Sequence, residues 1–368
     1  MNAPPKRVLF VIPGIQGGGA ERLVSTLLRH LDRSCVDPHL AVLEAKEELK
    51  QFLPPDVAVH SLKSSRIRYA LPAIVRLVRK IRPHVVLSTL SSANLAMILG
   101  RAWFPSGTRV LLRESSLASV SLKDQHHPRL WEWLYRRCYK RANAVICPSD
   151  SIADDLVTHF GVPRAKIARI YNPVDVKAIR EMADRGGNPF VGDGPHLVAV
   201  ARLSREKGLD ILLAAMPAVL ARLHGAQLTV LGDGPLWSEL RDQADRFNLT
   251  QVVHFLGFQR NPWSYLRHAD LFVLPSRYEG LPNVLLETLA LRTPVVATDC
   301  PGAIREVHAL SEGMTLVPPE DPSALAQSII EACRVSRQLR SLRKPLGAGL
   351  DRFDLKNIVD EYCVLLSS

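Results

Sequence analysis

The segment KRVLFVIPGIQGGGAERLVSTLLRHL, residues 6–31, decides the fold class. Its apolar, β-prone run RVLFVI leads directly into a glycine-rich turn, and apolar residues at helical spacing follow from Ala20 to Leu31. A strand that continues through a short turn into a helix is the first half of a βαβ unit, whose second strand runs parallel to the first. The segment therefore predicts an α/β fold built on a parallel sheet.

Strand-like and helical patterns keep alternating after this segment. Runs such as HLAVL, HVVLS, RVLLR and NAVICPS follow in the first half, and the rhythm begins again after the Gly/Pro-rich residues 186–195 with HLVAVARL, AQLTVLG, DLFVLPS and PVVAT. Alternation of this kind is typical of parallel sheets flanked by helices. We therefore expect two Rossmann-like domains, residues 1–175 and 176–350, joined near the NPVD segment at 172–175.

The glycine-rich turn after the first strand is a candidate binding element. Gly17, Gly18 and Gly19 leave room for a ligand at the N-terminus of the next helix, where free N–H groups and the helix dipole attract phosphate. The spacing is not GxGxxG, because position 16 is Gln and the last glycines are consecutive, so a dinucleotide cofactor is disfavoured. A glycine-rich turn without a ligand fits the motif equally well.

The second domain carries cations after its first strand. In VARLSREKGLD, Arg202 ends the strand and Lys207 follows five residues later, near the start of a helix. Fixed cations stabilise the negative charge that a nucleoside diphosphate gains as it leaves, and they do so without a metal. Standing alone, the motif could also be an exposed basic loop.

Two glutamates follow a later strand. The segment SRYEGLPNVLLE, residues 276–287, places Glu279 in the loop after a buried strand and Glu287 eight residues on, in the next helix. Ligands of doubly wound sheets lie at the carboxyl ends of the strands, so we expect both carboxylates at one pocket. For either residue alone, an acidic side chain that merely stabilises the start of a helix is the alternative.

Several motifs in this order resemble those of the glycosyltransferase group 1 family: GGGAER, NPVD, VARLSREKGLDILL, LGDGP, FLGF, PSRYEGLPNVLLE and PVVATDCPG. The resemblance covers nearly the whole chain, and the E-x7-E element is its most specific part. It implies the GT-B architecture, in which two Rossmann-like domains face each other across a cleft, with a C-terminal helix, residues 351–368, that returns to the N-terminal domain. It also implies transfer of a hexose-type sugar from a nucleoside diphosphate, most commonly UDP, with retention of the anomeric configuration.

The resemblance assigns catalytic roles by position. Glu279 would contact the donor sugar near its reacting face, and Arg202 with Lys207 would hold the diphosphate. Glu287 would hold the ribose hydroxyls. The implied mechanism is displacement on one face of the sugar, in which the leaving phosphate helps to deprotonate the acceptor; a nucleophilic Glu279 is the less favoured route.

Further donor contacts implied by the resemblance come largely from the backbone. They are Leu281 and Asn283 at the sugar or phosphate, Phe258 and Gln259 at the base, and Gly18 and Gly19 over the phosphates. The chain contains no Asp-x-Asp pair, the usual carboxylate anchor for a cation on the diphosphate. We therefore expect no metal and no other cofactor, since the nucleotide sugar is a substrate.

The resemblance breaks down at one place near the acceptor. Many members carry a His after the strand written here as RVLLR, whereas this chain has Arg113, Glu114 and Ser115. Arg113 could supply the positive charge of that His, but it could not act as a base because a guanidinium stays protonated. Asn94, at the start of the helix after HVVLS, is a second candidate contact of the acceptor.

Positive charge is concentrated in the first half of the chain. Residues 1–175 contain 26 Lys and Arg against 14 Asp and Glu, whereas the remainder contains 21 against 22. The segments RIRYALPAIVRLVRKIRP (66–83) and RLWEWLYRRCYKR (129–141) mix basic and apolar residues as membrane-surface helices do. Each could also be an ordinary solvated helix. Together they favour peripheral binding to an anionic cytoplasmic leaflet and a lipid-linked, diphosphate-bearing glycan acceptor.

Composition disfavours several other classes of protein. The six scattered cysteines include no CxxC pair, which predicts reduced thiols rather than disulfides or a zinc site. The first residues, MNAPPKRVLF, lack the apolar core of a signal peptide, and no run approaches the roughly 18 apolar residues of a spanning helix, so we expect a cytoplasmic protein. An aromatic content of 6% without a recognition motif disfavours nucleic acid as a partner.

Two other functions remain open at this stage. A GT-B enzyme that acts on a soluble small-molecule acceptor would have the same motifs, with the basic helices merely solvated. A non-catalytic nucleotide-sugar-binding protein would keep the fold but lose either the cationic clamp or the E-x7-E pair. This chain retains all four of those side chains.

Overall fold

The computed structural model describes residues 4–14, 18–45, 53–338 and 348–368. The chain divides into two compact units: unit 1 comprises Met1–Pro173 and Leu355–Ser368, and unit 2 comprises Val174–Asp354. The sequence pattern predicts these boundaries at 175 and 350. The second one lies later because a 3₁₀ turn, Ala348–Phe353, still belongs to unit 2.

Unit 1 contains a seven-stranded parallel sheet with the order β3-β2-β1-β4-β5-β6-β7. Its strands are β1 Lys6–Val11, β2 Val36–Val42, β3 Ala58–Ser61, β4 Val85–Thr89, β5 Arg109–Arg113, β6 Ala144–Cys147 and β7 Ile167–Arg169. The strand order reverses between β1 and β4, so the glycine-rich turn after β1 lies at the point where doubly wound sheets bind ligands.

Helices cover both faces of this sheet, and consecutive apolar residues of its central strands are accordingly buried, as in Val8–Val11 of β1 and residues 110–112 of β5. They are α1 Gly19–His30, α2 Ile67–Ile81, α3 Ser91–Gly100, α4 Ala118–Ser121, α5 Pro128–Cys138, α6 Asp150–Phe160 and α14 Leu355–Ser367. The last helix, α14, packs on α1, β1 and β2. The expected return of the C-terminal helix to the N-terminal domain is therefore confirmed.

Unit 2 contains a six-stranded parallel sheet with the order β10-β9-β8-β11-β12-β13. Its strands are β8 His196–Val200, β9 Gln227–Leu231, β10 Val253–Phe255, β11 Leu271–Leu274, β12 Val295–Thr298 and β13 Met314–Val317. Its helices are α7 Val176–Arg185, α8 Leu209–Leu220, α9 Trp237–Arg246, α10 Trp263–His268, α11 Asn283–Ala290, α12 Ile304–Leu310 and α13 Pro322–Gln338. The expected α/β class with two Rossmann-like domains is confirmed.

The segments that open and close unit 2 pair with each other. The amide of Val174 donates to the carbonyl of Phe353 at 2.7 Å, and Val174 forms an isolated parallel bridge with Asp354. In the part of the chain that the structure describes, no helix is both long and apolar enough to span a bilayer.

Candidate active site

Lys207 and Glu279 form an ion pair at the carboxyl edge of the unit 2 sheet. Lys207 ends a 3₁₀ turn, Arg205–Lys207, in the loop after β8, and Glu279 lies in the loop after β11. The Lys207 ammonium donates to both carboxylate oxygens of Glu279 at 2.8 Å. The Glu279 side chain is 5% exposed and that of Lys207 is 23% exposed, so the pair is accessible only from the lysine side.

The charge state of Lys207 follows from this contact. Burial alone lowers the pKa of the ammonium, but the charge and hydrogen bonds of Glu279 outweigh burial and leave that pKa above its usual value. An ammonium has three N–H donors, and two of them are used here. Lys207 is therefore a fixed cation with one donor remaining for a ligand.

Neighbouring loops hold Glu279 in place. The Ser276 hydroxyl donates to Glu279 Oε1 at 2.7 Å, and the Glu279 amide donates to the Pro301 carbonyl at 3.0 Å. Gly302 has a φ of +129°, and a Cβ at that position would lie 1.9 Å from the Glu279 carbonyl oxygen. Any other residue at 302 would thus push the Glu279 loop out of place.

Glu287 has a separate partner, which the sequence did not reveal. Its side chain is buried on α11, and the indole Nε1–H of Trp263 donates to its Oε2 at 2.8 Å. Trp263 begins α10, 24 residues earlier in the chain. This contact fixes the carboxylate that the family resemblance assigns to the ribose hydroxyls.

The other predicted donor residues differ in exposure. Arg202 and Phe258 are exposed, Gln259 donates from its side chain to the Leu256 carbonyl at 2.8 Å, and Leu281 is buried. Asn283 is the first residue of α11 and is half-buried. Their contacts with a nucleotide sugar stay predictions.

The glycine-rich turn of unit 1 is described in part. Gly18 and Gly19 are exposed at the start of α1, whereas Gly17 lies outside the described residues. The amide of Gly18 donates to Glu21 Oε2 at 2.8 Å. A phosphate at this helix N-terminus would have to compete with the Glu21 carboxylate for that donor.

Asn94 and Arg113, the expected acceptor contacts, lie inside unit 1. Asn94 is fully buried; its amide nitrogen donates to the Arg113 carbonyl at 3.0 Å and the Tyr139 hydroxyl at 3.1 Å, and its oxygen accepts from Ser88 at 2.8 Å. The Arg113 guanidinium is also buried and donates to Asn172 Oδ1 at 2.5 Å. Both side chains are buried, and the Arg113 Nε and Nη1 atoms have no hydrogen-bond partner among the described residues. Their contact with an acceptor stays a prediction.

Glu114 belongs to the same internal cluster. Its carboxylate accepts hydrogen bonds from the hydroxyls of Tyr135 at 3.0 Å and Tyr139 at 2.7 Å, and from the Ser115 amide at 3.1 Å. Burial raises the pKa of Glu114, although these hydrogen bonds partly oppose the rise. The two tyrosine rings stack at 4.0 Å and close the cluster from solvent.

Within the described ranges, no three His, Cys, Asp or Glu side chains are grouped so that they could hold a metal ion. Lys207 and the exposed Arg202, both in the loop after β8, are cations that could neutralise a bound anion. The arrangement can therefore bind a phosphorylated ligand through fixed positive charge.

Ser276 and Trp263 are the site residues that sequence reasoning missed. Ser276 precedes Glu279 by three residues, so its position in the same motif was a usable signal. Trp263 could be found only through the rule that a partly buried indole N–H needs an acceptor. Which carboxylate accepts from it depends on the packing of α10 beside α11.

Two family models match separate parts of the chain. Residues 194–334 match the model described as Glycosyl transferases group 1, and residues 17–178 match the model described as Glycosyltransferase Family 4. The first range contains Lys207, Glu279 and Glu287.

Similar proteins include one of nearly the same length. The N-acetylgalactosamine-N,N'-diacetylbacillosaminyl-diphospho-undecaprenol 4-alpha-N-acetylgalactosaminyltransferase of Campylobacter jejuni is 27% identical over 95% of this chain and 97% of that protein. An uncharacterised glycosyltransferase of Methanocaldococcus jannaschii is 26% identical over 64% of this chain and 60% of that protein.

Solved structures show the same architecture. The structure of Anabaena Alr3699/HepE in complex with UDP-glucose has a TM-score of 0.78 at 20% identity, covering 98% of this chain and 99% of that one. Sucrose-phosphate synthase from Thermosynechococcus elongatus has a TM-score of 0.80 at 20% identity, covering 98% of each chain. At such identities the likeness concerns the fold, and the expected GT-B fold is confirmed.

Proposed function

The chain belongs to the glycosyltransferase group 1 family, and from this premise we propose that it moves a hexose-type sugar from UDP to a lipid-linked or polysaccharide-precursor acceptor at the cytoplasmic face of a membrane. The transfer retains the anomeric configuration and uses no metal. The observation that carries the proposal is the contact between Lys207 and Glu279, which joins a fixed cation to a buried carboxylate at the carboxyl edge of a doubly wound sheet.

Charge at this edge supports a diphosphate leaving group. As the bond between the sugar C1 and the phosphate oxygen breaks, the electron pair goes to the phosphate and its negative charge grows. Lys207 has one donor left for that oxygen, and Arg202 is exposed and free to turn toward it. Both cations are supplied by the protein itself, so a metal is not needed for neutralisation.

Sugar transfer then proceeds on one face. The acceptor hydroxyl oxygen forms the new bond to C1 on the side from which the phosphate leaves, and its proton passes to the departing phosphate oxygen. Glu279 acts by its charge beside the sugar, because both of its oxygens are already engaged by Lys207. Two engaged oxygens make it a poor nucleophile, which favours direct displacement over a covalent intermediate.

Similarity and charge support a lipid-linked acceptor. The Campylobacter jejuni relative is named for a diphospho-undecaprenol-linked acceptor. In unit 1 of this chain, α2 contains four basic residues and no acidic one. Such a surface favours an anionic leaflet, where each basic side chain contributes about 1 kcal/mol to binding.

Exposed apolar side chains accompany this charge. Tyr69 on α2, Trp103 after α3, and Leu130 and Trp133 on α5 are each more than half exposed. The helix α3 packs against both α2 and α5, so these residues belong to neighbouring elements. Aromatic residues among basic ones are typical of proteins that lie on a membrane surface.

A donor screen tests the enzymatic proposal. Purified, metal-stripped protein is incubated with individual nucleotide sugars and a bacterial lipid extract, with and without chelator, and both transfer and slow donor hydrolysis are followed. We expect UDP-sugar turnover that chelator leaves unchanged and that Glu279→Ala and Arg202→Ala lower. Equal rates in wild type and both variants would refute the site, and loss of activity with chelator would refute metal independence.

Liposome flotation tests the membrane proposal. Wild-type protein should float with anionic but not neutral vesicles, and high salt should release it. The double variant Trp103→Ser, Trp133→Ser should float less, whereas Phe247→Ser, which alters an exposed aromatic residue of unit 2, should float like wild type. Absent binding, or equal binding to both kinds of vesicle, would remove the membrane from the proposal and leave a soluble acceptor.

A further inference from the structure

Arg277 joins three loops at the carboxyl edge of the unit 2 sheet. Its guanidinium donates to both carboxylate oxygens of Asp210 at 2.7 and 2.8 Å and to Glu320 Oε1 at 2.5 Å. Asp210 lies in the first turn of α8, Glu320 lies between β13 and α13, and Arg277 itself follows β11. The Arg277 side chain is 19% exposed, whereas those of Asp210 and Glu320 are 42% and 58% exposed, so the guanidinium is more shielded from solvent than its acidic partners.

The same residue also binds the turn that carries Lys207. The Arg277 amide donates to the Glu206 carbonyl at 2.8 Å, and its Nη1 donates to the Arg205 carbonyl at 2.7 Å. These are the two carbonyls immediately before Lys207. Gly208 follows with a φ of +61°, and a Cβ there would lie 2.0 Å from the Pro275 carbonyl oxygen. The turn is therefore tied to the β11 loop on both sides of the lysine.

Arg277 stands two residues before Glu279 in the same loop, and it hydrogen-bonds to the turn that ends at Lys207. Short stretches of backbone therefore link this one residue to both members of the ion pair. We propose that Arg277 is a positioning residue that fixes the turn bearing Lys207 relative to the loop bearing Glu279. The catalytic use of that pair rests on the proposed function, whereas the positioning is a property of unit 2 alone.

A lysine could not replace Arg277. The planar guanidinium offers five N–H donors in a fixed geometry, and its three nitrogens are used here toward two carboxylates and one carbonyl. An ammonium would keep the charge and lose the simultaneous contacts. Hydrogen bonding to Asp210 raises the pKa of Arg277, and although burial raises the pKa of Asp210, the Arg277 contacts hold it below its usual value. The pair thus stays ionised near neutral pH.

The test compares Arg277→Lys with a matched control in the same unit. Arg305 also binds one carboxylate with two nitrogens, Asp299 at 2.6 Å each, but its side chain is 78% exposed and it contacts neither Lys207 nor Glu279. Hydrogen exchange is measured at the amides of Lys207 and Gly208, which bond to the carbonyls of Ser204 and Arg205. We expect roughly tenfold faster exchange in Arg277→Lys and wild-type exchange in Arg305→Lys.

Activity supplies a second readout. Misplacement of a catalytic group by about 1 Å can lower a rate on the order of a hundredfold, so Arg277→Lys should lower kcat for donor hydrolysis by about ten- to a hundredfold while Arg305→Lys does not. If Arg277→Lys fails to fold, Asp210→Asn removes half of the bidentate contact and should show a smaller effect of the same kind. Wild-type exchange at Lys207 and Gly208 in a folded variant overturns the inference.

The two proposals can fail separately. If exchange at Lys207 accelerates as expected but no nucleotide sugar is bound or consumed by wild-type protein, the positioning inference stands and the proposed function fails. If UDP binds and Lys207→Ala weakens it while Arg277→Lys changes neither exchange nor kcat, the function stands and the positioning inference fails.

Discussion

Each unit buries a glutamate just after a strand of its parallel sheet, and the two glutamates have opposite surroundings. Glu114 of unit 1 receives its side-chain hydrogen bonds from the neutral hydroxyls of Tyr135 and Tyr139. Glu279 of unit 2 receives them from the ammonium of Lys207 and the hydroxyl of Ser276. Both carboxylates are at most 5% exposed.

The difference lies in what the partner can still do. The tyrosines stack on each other and seal Glu114 from solvent, whereas Lys207 is partly exposed and retains a donor. Burial of a carboxylate therefore does not by itself indicate a functional site. A partly exposed cation that holds the carboxylate is the better sign, because it leaves charge available to a ligand.

The largest expected effect concerns the cation of unit 2. Lys207→Ala should lower kcat/KM for the sugar donor by about 10²–10³, as removal of a charged or hydrogen-bonding group at developing negative charge does. Steady-state kinetics of donor hydrolysis measure this. Lys177→Ala, on the exposed face of α7, is the matched control and should be unchanged. If kcat/KM of Lys207→Ala stays within about threefold of the wild-type value, the Lys207–Glu279 pair is no more functional than the sealed Glu114 cluster.

The next effect concerns the sealed glutamate of unit 1. Glu114→Ala should lower the free energy of unfolding by about 2–4 kcal/mol, because it leaves buried tyrosine hydroxyls without their acceptor. Chemical denaturation followed by fluorescence measures the loss. The affinity for UDP, measured by calorimetry on the folded variant, should not change. Weaker UDP binding at unchanged stability would show that Glu114 contacts the ligand after all.

A smaller effect distinguishes two hydrogen-bond donors, the Trp263 indole of unit 2 and the Tyr135 hydroxyl of unit 1. Trp263→Phe removes the donor to Glu287 and should weaken UDP binding about five- to tenfold, which corresponds to the net contribution of one typical hydrogen bond. Trp237→Phe changes an indole on α9 and serves as the control. Tyr135→Phe removes one donor to Glu114 and should lower stability without changing UDP affinity. If Tyr135→Phe weakened UDP binding while Trp263→Phe lowered only stability, the Glu114 cluster rather than Glu287 would be the one that contacts the nucleotide.

The smallest expected effect is a flat pH profile. The pKa of Lys207 is raised in the folded protein, so the pair with Glu279 is fully formed below the unfolded lysine value of about 10.4 and is lost only as pH rises through the folded pKa. UDP affinity should therefore change by less than about twofold between about pH 7.5 and 8.5. A steep fall in that range, measured by calorimetry, would mean that Lys207 loses its proton earlier.

The sequence predicted only part of the contact between Lys207 and Glu279. Both lie in loops directly after strands, and parallel strands end at a common edge, so local pattern predicts that they share this edge. Their ion pair depends in addition on β8 and β11 being neighbours in the sheet, which no local pattern reveals. Arg113 also follows this rule, as the last residue of β5, yet it points inward. Its partner Asn172 precedes the second unit, and its charge also acts on Tyr362 of α14. No local pattern reveals partners so distant.

The boundaries of regular elements show the same limit. The three-residue edge strand β7 carries too little apolar pattern to be predicted, and its pairing with β6 defines it. The helix expected after HVVLS is α3, and it ends in a 3₁₀ turn, Arg101–Trp103, that the sequence did not predict. Trp263 was missed because its partner Glu287 is set by helix packing rather than by spacing.

The return of α14 to unit 1 has a consequence for biosynthesis. This helix buries Ile358, Tyr362 and Leu366 in the first unit, although the whole of unit 2 is encoded in between. Ribosomes add about 5–20 residues per second, so unit 1 waits roughly ten to forty seconds with the surface beneath α14 uncovered. During that interval the apolar surface that α14 later covers stays open, so we expect unit 1 to complete its fold only after the whole of unit 2 has been synthesised.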